Sequence, residues 1–268
     1  MAPMAVGAKM CAGRYNVPKD CNLGAMMAGL LVRVGIDSDY GKWNAPCSED
    51  GSFCYVPMGG GTPMEEYDPR YERYRRHVER YLDSFDDCHR RCHFPRKLPK
   101  LGHCDPDFRH LTYGDQGRRA ARIRKELKEG DFIAFYAGLR SIETGELVYS
   151  LIGFYIIAQL TDGHALPKRL WHRNEHTRHG GCEAAGTSVV LADRGASGRL
   201  LNHIPIGSCR ERAYRVLPNL LETWGGLDVN DGYIQRSAHL PRFERPARFL
   251  RWFNRQRATL VARDNPSL

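Results

Sequence analysis

The stretch that decides the fold reads GDFIAFYAGLRSIETGELVYSLIGFYIIA, from Gly130 to Ala158. Glu129-Gly130-Asp131 makes a tight turn that launches Phe132 to Tyr136, a run of aromatic and apolar residues with the length of a strand. Thr144-Gly145 marks a second turn, and Leu147 to Ala158 returns as a long partner. Neither run alternates cleanly between apolar and polar residues, so both faces of this hairpin are expected to be buried. The apolar stretch Leu147 to Leu160 is broken by Ser150, Gly153 and Gln159, and it falls short of the roughly 18 residues that span a bilayer. It reads as core strand, with no membrane partner.

Outward from the hairpin, Leu30 to Gly35 (LLVRVG), Ser52 to Pro57 and Thr187 to Ala192 read as further strands, with a break at Gly59-Gly60-Gly61 and a loop at Gly180 to Gly186. Asp68 before Pro69 is an N-cap followed by proline at the first helical position. Tyr67, Tyr71, Tyr74, Val78, Tyr81, Leu82 and Phe85 then recur at helical spacing, as a face that a helix buries. Leu217 to Thr223 reads as a short helix ended by Gly225-Gly226. A last helix is expected from Pro246 to about Thr259, with Phe249, Leu250, Trp252 and Phe253 inward. Residues Met1 to Met26 carry no periodicity and read as a disordered or mis-started extension. The remainder, 27–268, holds no repeat or low-complexity linker and reads as one domain. The fold class is α+β, a mixed and mainly antiparallel sheet with peripheral helices.

The chain has 268 residues, 42% hydrophobic and 26% charged, which suits a globular protein rather than a disordered one. Nine cysteines would suit a disulfide framework in a short secreted protein, but the odd number, the length and the lack of a signal sequence point to reduced thiols and a cytoplasmic location. The formal charge of +9 and pI of about 9.2 suit a polyanionic partner. From Arg236 to Arg257 seven arginines stand against one acid, Glu244, and Arg109 to Lys128 is a second basic run. If the last helix forms, Arg248, Arg251 and Arg255 share one face and are displayed to a phosphate backbone.

No phosphate-binding loop, dinucleotide fingerprint or H-E-x-x-H motif is present. Cys88, His89, Cys92 and His93, with His103-Cys104 nearby, have metal-ligand spacing, yet no C-x-x-C occurs and arginines crowd the segment, so no metal is expected there. His172, His176, His179 and Cys182 form a weaker cluster in a Gly- and Arg-rich stretch, and surface imidazoles are the expectation. More suggestive are polar segments that packing does not require. Asp37 to Asn44 follows the first strand and includes Tyr40. Asp105, Asp107, Thr112, Tyr113 and Asp115 gather carboxylates, a hydroxyl and an aromatic ring in one irregular stretch. Ser197, Arg199 and Arg210 are suited to phosphate, and Gln235 with Arg236 to a base edge.

In combination, Val34 to Met58, Asp105 to Gly117, Gly130 to Arg140, Ser197 to Gly207 and Trp224 to Ser237 resemble the third type of nucleotide-modification-associated domain, over about Leu30 to Asn265. Proteins of that family sit by genome context among systems that make or process hypermodified DNA bases. The resemblance therefore implies DNA or a nucleotide as ligand and proteins of a modification system as partners. It names neither a reaction nor a cofactor. Gly130 to Arg140 also resembles the first buried strand of the small PUA and ASCH barrels that bind modified or flipped bases, which offers a partly open barrel as an alternative to the sheet.

Three functions stay open, and a factor that recognises or processes a modified base in DNA is preferred over an enzyme on a free nucleotide or a structural partner, because no complete catalytic constellation can be assembled from the sequence. An enzyme would use Asp37, Asp105, Asp107 or Asp115 as general base or metal ligand, with Arg199 or Arg210 on phosphate. A reader would hold a modified base near Tyr136, with Tyr40, Asn44, Thr112, Tyr113, Arg140, Ser197 and Gln235 around it and Arg236, Arg248, Arg251 and Arg255 on the backbone. A structural partner would have no active site of its own.

Overall fold

The computed structural model describes residues 27–36, 43–59, 80, 83, 101–178, 186–235 and 238–265. The expectations for Met1 to Met26, the 68–85 helix apart from helical Arg80 and Asp83, the Cys88 to His93 cluster, Asp37, Tyr40, most of the Gly180 to Gly186 loop, and Arg236 lie outside the described residues.

In chain order the elements are β1 (Gly29–Arg33), β2 (Pro46–Cys47), β3 (Met58–Gly59), β4 (Leu101–His103), β5 (Thr112–Asp115), α1 (Gly117–Glu126), β6 (Phe132–Ser141), β7 (Leu147–Asp162), α2 (Glu175–Arg178), β8 (Ser188–Ala192), β9 (Gly198–Arg210), β10 (Ala213–Val216), α3 (Pro218–Trp224), α4 (Pro246–Arg255) and β11 (Leu260–Val261). The expected hairpin is β6 and β7, antiparallel from Phe132 opposite Ile156 to Arg140 opposite Leu147. It is the spine of a nine-stranded sheet. On one side of the hairpin, β1 and β2 pair in parallel with β6. On the other, β7 pairs first with β9 and then, from Ile157 to Asp162, with β8, which carries β5 at the far edge. The sheet is mixed, mostly antiparallel and open, since no pairing among the described residues joins β1 to β5.

The missing alternation in β6 has a structural cause, because the sheet has a core on each side. Phe132, Ala134 and Tyr136 enter one core with Trp224, Phe243, Phe249 and Phe253. Ile133, Phe135, Ala137 and Leu139 enter the other with Phe108, Tyr113, Tyr155 and Val190. Helix α4 covers the first core, burying the four residues expected to face inward, but it stops at Arg255, short of Thr259. Helix α3 starts on Pro218 and ends at Gly225, whose φ of +83° gives the left-handed cap that glycine adopts without strain.

Several elements depart from the sequence reading, among them strands β9 and β10, which it did not foresee. Ser52 to Pro57 makes one bridge, Phe53 to Cys47, instead of a ladder. The Asn265 side chain substitutes for a neighbouring strand there, accepting the Tyr55 N–H and donating to the Tyr55 carbonyl, both at 2.8 Å. Thr112 to Asp115, read as irregular, is edge strand β5. The second basic run contains α1, whose Ala120 and Ile123 face inward between arginines.

Candidate functional site

The region is built on the outer edge of β5. Between β4 and β5 the chain folds into a tight loop in which Asp107 and Thr112 exchange backbone hydrogen bonds at 2.9 and 3.2 Å, with Leu111 at a φ of +58°. The loop is anchored from the core, where the hydroxyls of Tyr55 and Tyr155 donate to the carbonyls of Pro106 and Asp107 at 2.9 and 3.0 Å. Helix α2 closes over the edge. Thr112 Oγ1 donates to the Arg173 carbonyl at 2.6 Å, and His176 and Asn174 sit so close to Gly114 that a Cβ there would lie 2.6 Å from the His176 ring. A side chain at position 114 would push the helix away.

These contacts bring His103, Asp105 and His176 together although 73 residues separate the first from the last. Asp105 is 2% exposed. Its Oδ1 accepts the Gly114 N–H at 2.9 Å, with the Asn174 amide at 3.4 Å. Its Oδ2 faces two imidazoles, 3.2 Å from His176 Nε2 and 3.9 Å from His103 Nε2, yet among the described residues no donor is aligned to hydrogen-bond it. The two rings meet edge to face with centroids 4.6 Å apart. Asn174 also fixes the helix, its Oδ1 accepting the His176 N–H at 3.1 Å.

Burial governs the titration of all three groups. It pushes the Asp105 carboxyl well above the usual carboxylate range, opposed by the Gly114 N–H and reinforced by the charges of Glu175, Asp115 and Asp107. Burial lowers His103 to about 4, with His176 adding to the effect, and lowers His176 as well. Both imidazoles are therefore neutral at pH 7. Two neutral imidazole nitrogens and a carboxyl oxygen within 4.8 Å of one another form a donor set able to hold a cation, which would displace the proton that burial favours on Asp105.

A second pair lies on the same loop. Asp107 accepts from the His110 backbone at 2.8 Å and holds His110 Nδ1 at 2.7 Å, while Arg178 reaches Asp107 at 3.7 Å and Glu175 at 3.1 Å. The His172 ring stands edge-on to His110 at 6.0 Å. Asp115 binds Arg119 at 2.6 Å and receives the Tyr113 hydroxyl at 2.5 Å, locking α1 to β5.

Of the residues read from the sequence as catalytic or nucleotide-binding, Asp105, Asp107, Thr112, Tyr113 and Asp115 gather here, and the others among the described residues do not. Tyr136 is fully buried, and its hydroxyl donates to the Ile234 carbonyl at 2.7 Å. Asn44 ties its loop to Gly138, and Arg140 closes the hairpin turn on Gly145. Ser197 accepts the Ile156 N–H. Arg199 is fully buried, stacked 3.7 Å over Phe53 and donating to the Phe53 and Leu200 carbonyls. Arg210 pairs with Asp231, and the Gln235 side chain accepts the Tyr214 N–H. Arg248 donates to the Thr223 and Glu222 carbonyls, whereas Arg251 and Arg255 are exposed on α4.

Sequence reasoning missed His103 and His176 as a pair because it grouped each with its chain neighbours. Cys104, the expected companion of His103, is instead buried, with burial pushing its thiol far up. The signal that was present was Gly114, a glycine inside a polar segment, where a neighbour approaches closely.

No helix among the described residues is long and apolar enough to cross a membrane. No curated protein and no solved structure matches the chain significantly. The sequence model of nucleotide modification associated domain 3 matches residues 29–247, from β1 into α4 and including the whole Asp105 cluster, and the chain belongs to that family.

Proposed function

We propose that the chain processes a base or nucleotide, in DNA or as the free nucleotide, at the His103, Asp105 and His176 cluster. Asp105 carries this reading. One oxygen is anchored by backbone and the other, among the described residues, is left without an aligned donor between two imidazoles, on a residue only 2% exposed. Leaving such a group unsatisfied costs about 1 to 3 kcal/mol, and packing does not call for it. Groups of this kind collect where chemistry is done. The family description supplies the substrate class. Within this reading His110 is the proton carrier, because Asp107 fixes its Nδ1 and leaves Nε2 to exchange a proton with substrate or water. A cytoplasmic site of action and partners from a modification system belong to the same proposal.

A second reading is recognition of a modified base by a PUA- or ASCH-like sheet, with DNA tracked by the C-terminal arginines. It draws on the exposure of Arg251 and Arg255 on the outer face of α4.

Nucleoside mass spectrometry of DNA and of the nucleotide pool tests the choice. Cells carrying Asp105→Asn are expected to match cells lacking the gene, with the purified variant still folded. A wild-type nucleoside profile from folded Asp105→Asn would overturn the catalytic reading.

A further inference from the structure

We infer that His103 Nε2, Asp105 Oδ2 and His176 Nε2 bind one divalent transition-metal ion, leaving its remaining coordination positions open to water or substrate. One donor atom from each residue lies within 4.8 Å of the other two, and Asp105 Oδ2 stands 3.2 Å from His176 Nε2 and 3.9 Å from His103 Nε2. Ligands held about 2.1 Å from a common ion at tetrahedral or octahedral angles stand about 3.0 to 3.5 Å apart, so the cluster closes by at most about 1.3 to 1.8 Å.

The surroundings favour an ion over a structural histidine–aspartate pair. In such a pair the imidazole N–H would point along the line to the carboxylate. Here His176 Nε2 is near enough to Oδ2 but misdirected, and Oδ2 has no hydrogen bond among the described residues. Meanwhile Oδ1 is held by the Gly114 N–H and faced by Asn174, which fixes the carboxylate with its other oxygen presented to the imidazoles. The absence of a side chain at Gly114 and the bond from the His176 backbone to Asn174 set the position of the helical ligand.

The donor set also selects the ion. Calcium and magnesium prefer oxygen ligands, whereas two imidazoles and one carboxylate suit zinc, cobalt or ferrous iron. Three protein ligands are the pattern of a site that keeps positions for chemistry, while structural zinc sites are closed by four. The inference deepens the catalytic proposal and rests on it for its meaning, but ion binding is read independently of any reaction.

Full-length protein stripped with chelator is titrated with Zn(II) and, separately, with Co(II). One equivalent is expected to bind and to raise the melting temperature. The cobalt spectrum is expected to lack the sulfur charge-transfer band that thiolate ligands give, which separates this site from the Cys88 to His93 segment. His103→Ala alters a side chain 27% exposed and is expected to fold. It and Asp105→Asn are each expected to weaken binding at least about tenfold, while Cys88→Ser with Cys92→Ser leaves it unchanged. Undiminished binding in folded His103→Ala, loss of binding with the cysteine variant, or a thiolate band from the bound equivalent overturns the assignment. Metal uptake with no nucleoside difference between wild type and gene deletion upholds the ion and removes the catalytic reading. A nucleoside difference from a chain that binds no ion does the reverse.

Discussion

At the scale of single residues, the carboxylates around the loop differ through what surrounds them. Asp264 accepts the Phe108 N–H at 3.0 Å, and burial with the nearby charge of Asp107 pushes its carboxyl up to about 8 from an ordinary 3.8. The folded chain then keeps a proton there that the unfolded chain has lost, so this group withdraws stability as pH rises from about 4 to 8. Asp264→Asn keeps an acceptor for Phe108 and removes the titration. Its melting temperature relative to wild type is expected to climb between pH 5 and pH 8. An offset equal at both pH values would show that Asp264 ionises as an ordinary carboxylate. The sequence made Asp105, Asp107 and Asp115 visible because they stand in a dense polar stretch. It hid Asp264 and the pairing of His103 with His176, because long-range packing brings them to the loop and nothing in their local pattern marks it.

Elements were legible where apolar residues announce their own geometry. The β6–β7 hairpin, β1, α3 and α4 all carry runs or periodic faces that fill one of the two cores. Strand β5 and helix α1 were not legible as elements, because β5 is a short polar edge and α1 buries only Ala120 and Ile123. On α4 the arginine stripe was foreseen, but its members differ. Arg248 donates to Glu222 and Thr223 at 2.7 and 3.0 Å, carbonyls in the last turn of α3, so it holds two helices together. Arg248→Gln is expected to cost about 1 kcal/mol. Arg251→Gln with Arg255→Gln is expected to stay within about 0.5 kcal/mol of wild type. If α4 tracks nucleic acid, the same double change lowers the salt slope of binding by about 1.4 to 1.8 units. Equal stability losses from the single and the double change, measured by urea denaturation, would contradict this division.

Across the whole molecule, the sheet is open, and an open sheet has ends that need covering. At the β5 end the cover is the candidate site itself. Thr112 and Gly114 turn their N–H groups away from β8, and Asp107 and Asp105 take them. The carboxyl group offered for chemistry is thus also part of the cap on this strand edge, beside the Asp107 loop and α2. Removing the acceptor and altering the charge should therefore have different physical consequences. Asp105→Asn keeps an oxygen for the Gly114 N–H and is expected to remain dispersed on mild heating. Asp105→Ala unseals the edge and is expected to self-associate through intermolecular strands, read as light scattering together with a rise in β-sheet infrared absorption. Identical colloidal behaviour of the two variants would show that the edge is guarded elsewhere. If they differ, loss of the reacting group and loss of solubility become linked outcomes of one substitution, a constraint that limits how freely this position can vary.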